Sequence, residues 1–186
     1  MKSVRPRPVV LAGPTAVGKG TVSGYIREHF PHVWLSISAT TRPPRPGEED
    51  GRHYYFVSNE EFDTMIERGD MLEWALVHGR NRYGTPRYAV EKALDDGFMP
   101  LLEIDLQGAR QIKETMPDAH FVFLAPPSWD DLVDRLIGRG TESADEQQKR
   151  LETAKLELAA EKEFDTTIIN DTVESAAAEL VALMGL

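Results

Sequence analysis

The sequence predicts an α/β fold, a parallel sheet flanked by helices, on three observations. An apolar run, Val9-Val10-Leu11-Ala12, leads into Gly13-Pro14-Thr15-Ala16-Val17-Gly18-Lys19-Gly20-Thr21 and then an amphipathic stretch; that is strand, glycine-rich loop, helix. Further short apolar runs at 100–105, 119–124 and 166–170 alternate with helical patterns, as in successive βα units. At 186 residues and 41% hydrophobic, the chain suits one domain with a substantial core.

Composition excludes several functions. There is no cysteine, hence no disulfide, thiolate metal site or cysteine nucleophile. The net charge of −10 opposes general binding to nucleic acid or to an acidic membrane surface, so any anion site must be local. No signal peptide and no long apolar span is evident, and a cytoplasmic location is expected. The five histidines show no paired metal spacing, and no G-x-S-x-G elbow occurs. Most cations are arginine, clustered at Arg42, Arg45 and Arg52 and at Arg135, Arg139 and Arg150. A planar guanidinium suits bidentate phosphate contacts.

The first loop has the chemistry of a phosphate cradle. Gly13 and Gly18 let successive N–H groups turn inward, the following helix adds the positive end of its dipole, and Lys19 reaches terminal phosphates. Gly20 stands where the strict motif has a hydroxyl for Mg²⁺, and Thr21 comes next. One helical residue is about 100° of rotation, so Thr21 is expected on a phosphate and Mg²⁺ mainly on phosphates and water. A helix is expected over 21–30, ended by Pro31, and a second strand over 33–37.

Residues 38–56 are rich in Pro, Gly and Arg and read as a functional loop. Its prolines hold Arg42 and Arg45 on a stiff backbone, where with the Tyr54 hydroxyl they can grip one phosphate monoester. The run from Arg42 to Pro46 also has the composition of a polyproline ligand, but beside a phosphate loop the phosphate reading prevails. Ser58 to Glu61 has capping-box spacing and opens a short helix closed by Gly69. Alternation over 71–77 predicts a strand with Leu72, Trp74 and Leu76 on one face. Glu73 falls on the other, among Met71, Ala75 and Val77, where a carboxylate needs a partner. Residues 78–84 are expected as a polar turn, with Thr85-Pro86 capping and starting a helix to Asp96 and Tyr83 on its rim.

Pro100 to Asp105 reads as a buried strand that delivers Glu103 and Asp105 to one side of the sheet's carboxyl edge, where ligands collect. Asp105 suits water on Mg²⁺ or, alternatively, a helix cap. A strand over 119–124 precedes a helix over 129–137 capped by Ser128. Glycines bracketing Arg139 then suit a mobile lid. A long helix over 147–164 carries Arg150 near its start, a strand over 166–170 ends in Asn170, and a helix over 173–184 follows.

Taken together, these stretches resemble the guanylate kinase family over nearly the whole chain. The matching segments are Gly13 to Thr21, Ser38 to Arg45, Gly51 to Phe56, Leu72 to Trp74, Tyr83 to Thr85, Glu103 to Gly108, Arg139 to Glu142 and Ile169 to Asp171. The resemblance implies a P-loop NTPase-type parallel sheet with an inserted GMP-binding subdomain and a lid. It implies a single domain over 1–186, with a core of about 1–37, 92–134 and 160–186, a GMP-binding region of about 38–91 and a lid of about 135–159. The implied reaction is transfer of the terminal phosphate of ATP to GMP, with Mg²⁺ as cofactor; use of dGMP is left open. ATP is then expected on Gly13, Pro14, Thr15, Ala16, Val17, Gly18, Lys19, Gly20, Thr21, Arg135, Arg139 and Asn170. GMP is expected on Ser38, Arg42, Arg45, Tyr54, Glu73, Tyr83, Thr85, Glu103 and Asp105, and catalysis on Lys19, Arg42, Arg139 and Arg150. Two related possibilities are a ribose 1,5-bisphosphate kinase type and a non-catalytic protein-interaction module. The guanine-reading set Ser38, Glu73 and Thr85 argues against the first, and Lys19 with the lid arginines against the second.

Overall fold

Every residue of β1 (Val9–Ala12) is buried, because alternate side chains feed two different apolar layers. Val9 and Leu11 join Val22 and Ile26 of α1 (Lys19–His29) and Ala176, Ala177 and Leu180 of α7 (Val173–Leu183). Val10 and Ala12 join Val90 of α3 (Arg87–Asp95) and Ala109 and Ile112 of α4 (Leu106–Thr115) on the other face. The computed structural model describes residues 6–138 and 140–185. Around β1 it places β7 (Met99–Glu103) and β2 (Val33–Leu35) on one side, and β8 (His120–Ala125) and β9 (Thr166–Ile169) on the other. All four pairings are parallel, and the strand order is β2-β7-β1-β8-β9.

A second, four-stranded sheet is inserted between β2 and α3, in the order β4-β3-β6-β5. It comprises β3 (Ala39–Thr40), β4 (Tyr55–Phe56), β5 (Met71–Val77) and β6 (Asn81–Pro86). Its own small core is Ala39, Phe62 and Met71, packed by Tyr55, Met65 and Ile66. The helix α2 (Asn59–Glu67) begins with the expected capping box, Ser58 and Glu61 exchanging hydrogen bonds with each other's backbone N–H. After β8, α5 (Trp129–Ile137) and α6 (Ala144–Ala159) build a separate cluster from Leu132, Leu136 and Ala154.

Some local expectations are corrected. Residues 81–86 are a strand rather than turn and helix start, because β6 finds partners on both sides, β5 and β3. The turn is confined to Val77–Arg80, with His78 and Gly79 both at positive φ, which suits the twist of a hairpin. Thr85 is therefore no helix cap; α3 starts at Arg87 after Pro86, without a side-chain cap. The 38–56 loop is not wholly exterior, since Ala39 and Thr40 are fully buried in β3. Asp105 lies beyond β7 and accepts from Gly108 N–H (2.7 Å) as the cap of α4, so it does not share a strand face with Glu103. The long helix begins at Ala144 and gives way to a 3-10 turn at Ala160–Glu163.

Candidate active site

The glycine-rich loop leaves β1 at its carboxyl end and turns into α1 through Gly18, whose φ of 101° belongs to the left-handed region. Ala16, at φ 68°, takes the same region at the loop's exposed apex, a conformation that a side chain adopts only under constraint. The constraint is visible beneath it. The Val17 carbonyl accepts from Asn170 Nδ2 (2.9 Å) and from Arg135 Nη1 (2.9 Å), so two residues expected on the nucleotide also hold the loop's backbone. Gly13 and Pro14 are buried, while Thr15, Gly20 and Thr21 are exposed at the mouth.

Lys19 Nζ donates to the Gly13 carbonyl (2.8 Å), spanning the loop it belongs to. Burial lowers its pKa, and the carboxylates of Glu157, Glu103 and Asp105 oppose that shift. Glu103 ends β7 in register with Leu11, so it stands beside the loop rather than within the second sheet. Glu157 comes from α6. It accepts from Thr15 N–H (3.2 Å) and Thr15 Oγ1–H (3.1 Å), bringing the α5–α6 unit onto the loop.

Between these parts lies a cleft of about 380 Å³ lined by Thr15, Ala16, Arg135, Lys149, Arg150 and Glu157 among others. That is the size of a small-ligand site. Arg150 is held by the Leu136 carbonyl (3.1 Å) and by an ion pair with Glu142. Arg139 lies outside the described residues.

Across the sheet edge, the inserted region presents a second cationic centre. Arg42 is buried, donating from Nε to Tyr83 Oη (3.2 Å) and forming a bidentate pair with Glu48 (2.7 and 3.0 Å). Tyr54 lies against it, its ring centre 5.2 Å from the guanidinium carbon and 5.9 Å from the Tyr83 ring. Arg45 is exposed three residues on, and Ser38 immediately precedes β3.

Glu73 has the partner that its position demanded. Thr85, opposite it on β6, donates its hydroxyl to Oε1 (2.8 Å). Burial raises the Glu73 pKa, the Thr85 hydrogen bond resists this, and Asp105 adds to the rise. Asp105 thus acts electrostatically on both Lys19 and Glu73, at the junction of the two halves. The backbone around Glu73 is pinned by α4. The Gln111 side-chain amide accepts from Trp74 N–H (3.0 Å) and donates to the Trp74 carbonyl (3.1 Å), and Thr115 donates to the Leu72 carbonyl (2.6 Å).

The arrangement joins two surfaces rich in N–H donors and one half-buried carboxylate. Such a set can hold a polyphosphate on one side, a phosphate monoester on the other and a donor-rich base between them. Sequence reasoning missed Glu48, Gln111 and Glu157. The Pro46-Gly47 turn signal could have pointed to Glu48, whereas Gln111 and Glu157 reach their partners only through tertiary packing.

A family model described as guanylate kinase matches residues 5–185. The chain is 66% identical over 176 residues to guanylate kinase of Leifsonia xyli subsp. xyli, covering 95% of this chain and 69% of that one. It is 61% identical over 179 residues to guanylate kinase of Streptomyces coelicolor, covering 96% and 90%. A crystal structure of guanylate kinase from Anaplasma phagocytophilum aligns with a TM-score of 0.69 at 31% identity, covering 98% of this chain and 86% of that one. Shikimate kinase from Bacteroides thetaiotaomicron, at 14% identity and a TM-score of 0.51, shares the fold alone.

Proposed function

The chain belongs to the guanylate kinase family, and from that premise we propose that its cleft transfers the terminal phosphate of ATP to GMP, giving ADP and GDP. The observation that carries this reading is Glu73, a half-buried carboxylate set between the two cationic surfaces with Thr85 on one oxygen. Guanine offers an N1–H and an exocyclic amine side by side, two donors that one carboxylate accepts together. Adenine has an acceptor at N1 and would leave Glu73 facing a lone pair.

The 38–91 region is the proposed acceptor side, with Ser38, Glu73 and Thr85 on the base and Arg42, Arg45, Tyr54 and Tyr83 on the phosphate. The 135–159 segment is the proposed lid, with Arg135, Arg139 and Arg150 closing on the donor. Asn170 supports the loop through Val17. Phosphoryl transfer asks little covalent chemistry of a protein, so the chain's work is alignment and charge neutralisation. On ATP binding, Lys19 exchanges its Gly13 carbonyl for phosphate oxygens, and loop N–H groups fix the donor. Arg42 and its tyrosines hold the acceptor phosphate in line, and closure excludes water that would otherwise take the phosphoryl group.

The residues present fit a hard divalent cation held through water, since Glu103 and Asp105 place carboxylate charge within reach of Lys19 at the mouth where Thr21 is exposed. Magnesium arriving with ATP would supply neutralisation of phosphate charge there, beside Thr21 and Asp105. A cytoplasmic enzyme of purine nucleotide metabolism, acting on small substrates rather than nucleic acid or membrane, completes the proposal.

The test is ADP release from ATP and magnesium with GMP, AMP or ribose 1,5-bisphosphate offered in turn. Turnover with GMP alone is expected. Use of AMP or of the sugar bisphosphate in its place would overturn the assignment of Glu73.

A further inference from the structure

Arg42 is expected to grip a phosphate, yet its guanidinium is already largely occupied. Of the five N–H donors that an arginine carries, Nε serves Tyr83 Oη and Nη1 serves both the Pro43 carbonyl (3.0 Å) and Glu48 Oε1. Nη2 serves Glu48 Oε2, which leaves a single Nη2–H for a ligand. Glu48 is either a stand-in that the phosphate must displace or a fixed brace for Arg42.

The loop's construction favours the brace. Arg45-Pro46-Gly47-Glu48 is a turn closed by Glu48 N–H donating to the Arg45 carbonyl (3.0 Å), with Pro46 second and Gly47 third at φ 86°. The turn brings the Glu48 carboxylate back to accept from the Arg45 backbone N–H (2.7 Å) while it pairs with Arg42. Glu48 is thus tied to the backbone of its own loop and is not a swinging side chain. Arg42 is only 8% exposed, and a buried guanidinium stripped of its counter-ion is costly. Arg45 makes no side-chain hydrogen bond or ion pair within the described structure, so the exchangeable cation is Arg45.

We infer that Glu48 is a positioning residue for the acceptor phosphate, bracing the plane of Arg42 and, through Arg42 Nε, setting the direction of the Tyr83 hydroxyl. Because the Tyr83 oxygen already accepts from Arg42, its hydrogen is left to donate outward. The phosphate then meets one Nη2–H of Arg42, the Tyr83 hydroxyl, Tyr54 and the exposed Arg45. Paired with Arg42 and bound by the Arg45 N–H, Glu48 titrates at about 2 and stays ionised throughout the working range. The inference rests on the proposal that this loop receives the GMP phosphate.

The experiment is steady-state kinetics of Glu48→Ala and Glu48→Gln with each substrate varied, together with inhibition by guanosine, which carries the base without the phosphate. Loss of the brace is expected to raise KM for GMP about tenfold in Glu48→Ala, the size of one lost charge-assisted hydrogen bond. Glu48→Gln, which keeps the shape and one acceptor for Arg45 N–H, should show a smaller rise. KM for ATP and inhibition by guanosine should stay within about twofold of the wild type, since neither uses the phosphate grip. An unchanged or lowered KM for GMP overturns the inference and makes Glu48 a displaceable stand-in. Equal weakening of GMP, guanosine and ATP also overturns it, as general loosening of the fold. Wild-type protein without GMP turnover would overturn the proposed function and, with it, the role assigned to Glu48.

Discussion

The two proposed anion-binding surfaces are built in opposite ways. The glycine-rich loop offers backbone: its N–H groups come from a left-handed turn at the end of a fully buried strand, held from beneath by Asn170 and Arg135. The Arg42 loop offers side chains, and its order comes from prolines, one turn and a carboxylate six residues away. Each has a glutamate against it, but Glu157 arrives from a helix 142 residues on, whereas Glu48 is local. A donor phosphate of varied length suits amides that wrap a chain of oxygens. An acceptor phosphate at the end of a recognised nucleoside suits a pair of cations set at one distance from the base reader.

That contrast can be broken by experiment. The largest effect is expected from Lys19→Ala, which removes the cation of the backbone-built site. The value of kcat should fall on the order of 10³-fold, with KM for GMP little changed. A variant with near-normal kcat would mean that amides alone carry the donor side. Next, Glu73→Gln sets an amide against guanine's donors, and kcat/KM for GMP should fall about 10²-fold with KM for ATP retained.

The same residue gives a pH signature. Burial raises the Glu73 pKa, so the ionised form proposed to accept both guanine N–H groups is lost on acidification above the ordinary carboxylate range. In the wild type, kcat/KM for GMP should decline as pH falls through that raised pKa. In Glu73→Gln this acidic limb should vanish, and a limb that persists would assign it to another group. The smallest effect is expected from Gln111→Ala, which frees the Trp74 peptide. It should cost about 1 kcal/mol of stability and raise KM for GMP a few-fold while leaving ATP kinetics alone. A matched change in KM for ATP would show that α4 serves both halves equally.

What the sequence made legible follows the range of the interactions. The first strand, loop and helix are read from local period and glycine spacing, and they stand where expected. Ser58 declares its capping box within four residues. The inserted sheet is different. Two-residue strands such as β3 and β4 have no period to detect, and β6 contains Gly84 and Pro86, which locally read as a turn and a helix start. Only β5 and β3 on either side make β6 a strand, and with it Thr85 becomes a partner of Glu73 instead of a cap. Alternation did single out Glu73, since one carboxylate in an apolar face stands out in the sequence itself. The occupied guanidinium of Arg42 was not legible, because a donor count depends on which carbonyls and carboxylates the fold brings to it.

The Gln111 clamp also gives the inserted sheet a mechanical character. Its amide completes the hydrogen bonding of one residue at the middle of β5, with the Thr115 bond to Leu72 just before it, while the far end of that strand, at Leu76 and Val77, is exposed. Were the sheet to turn about that anchor, Glu73, between Leu72 and Trp74, would move least, and Arg42, Arg45 and Tyr54, which lie outside β5, would travel further. On the proposed function, the base would then be read at a nearly stationary point while the phosphate travelled an arc toward the donor.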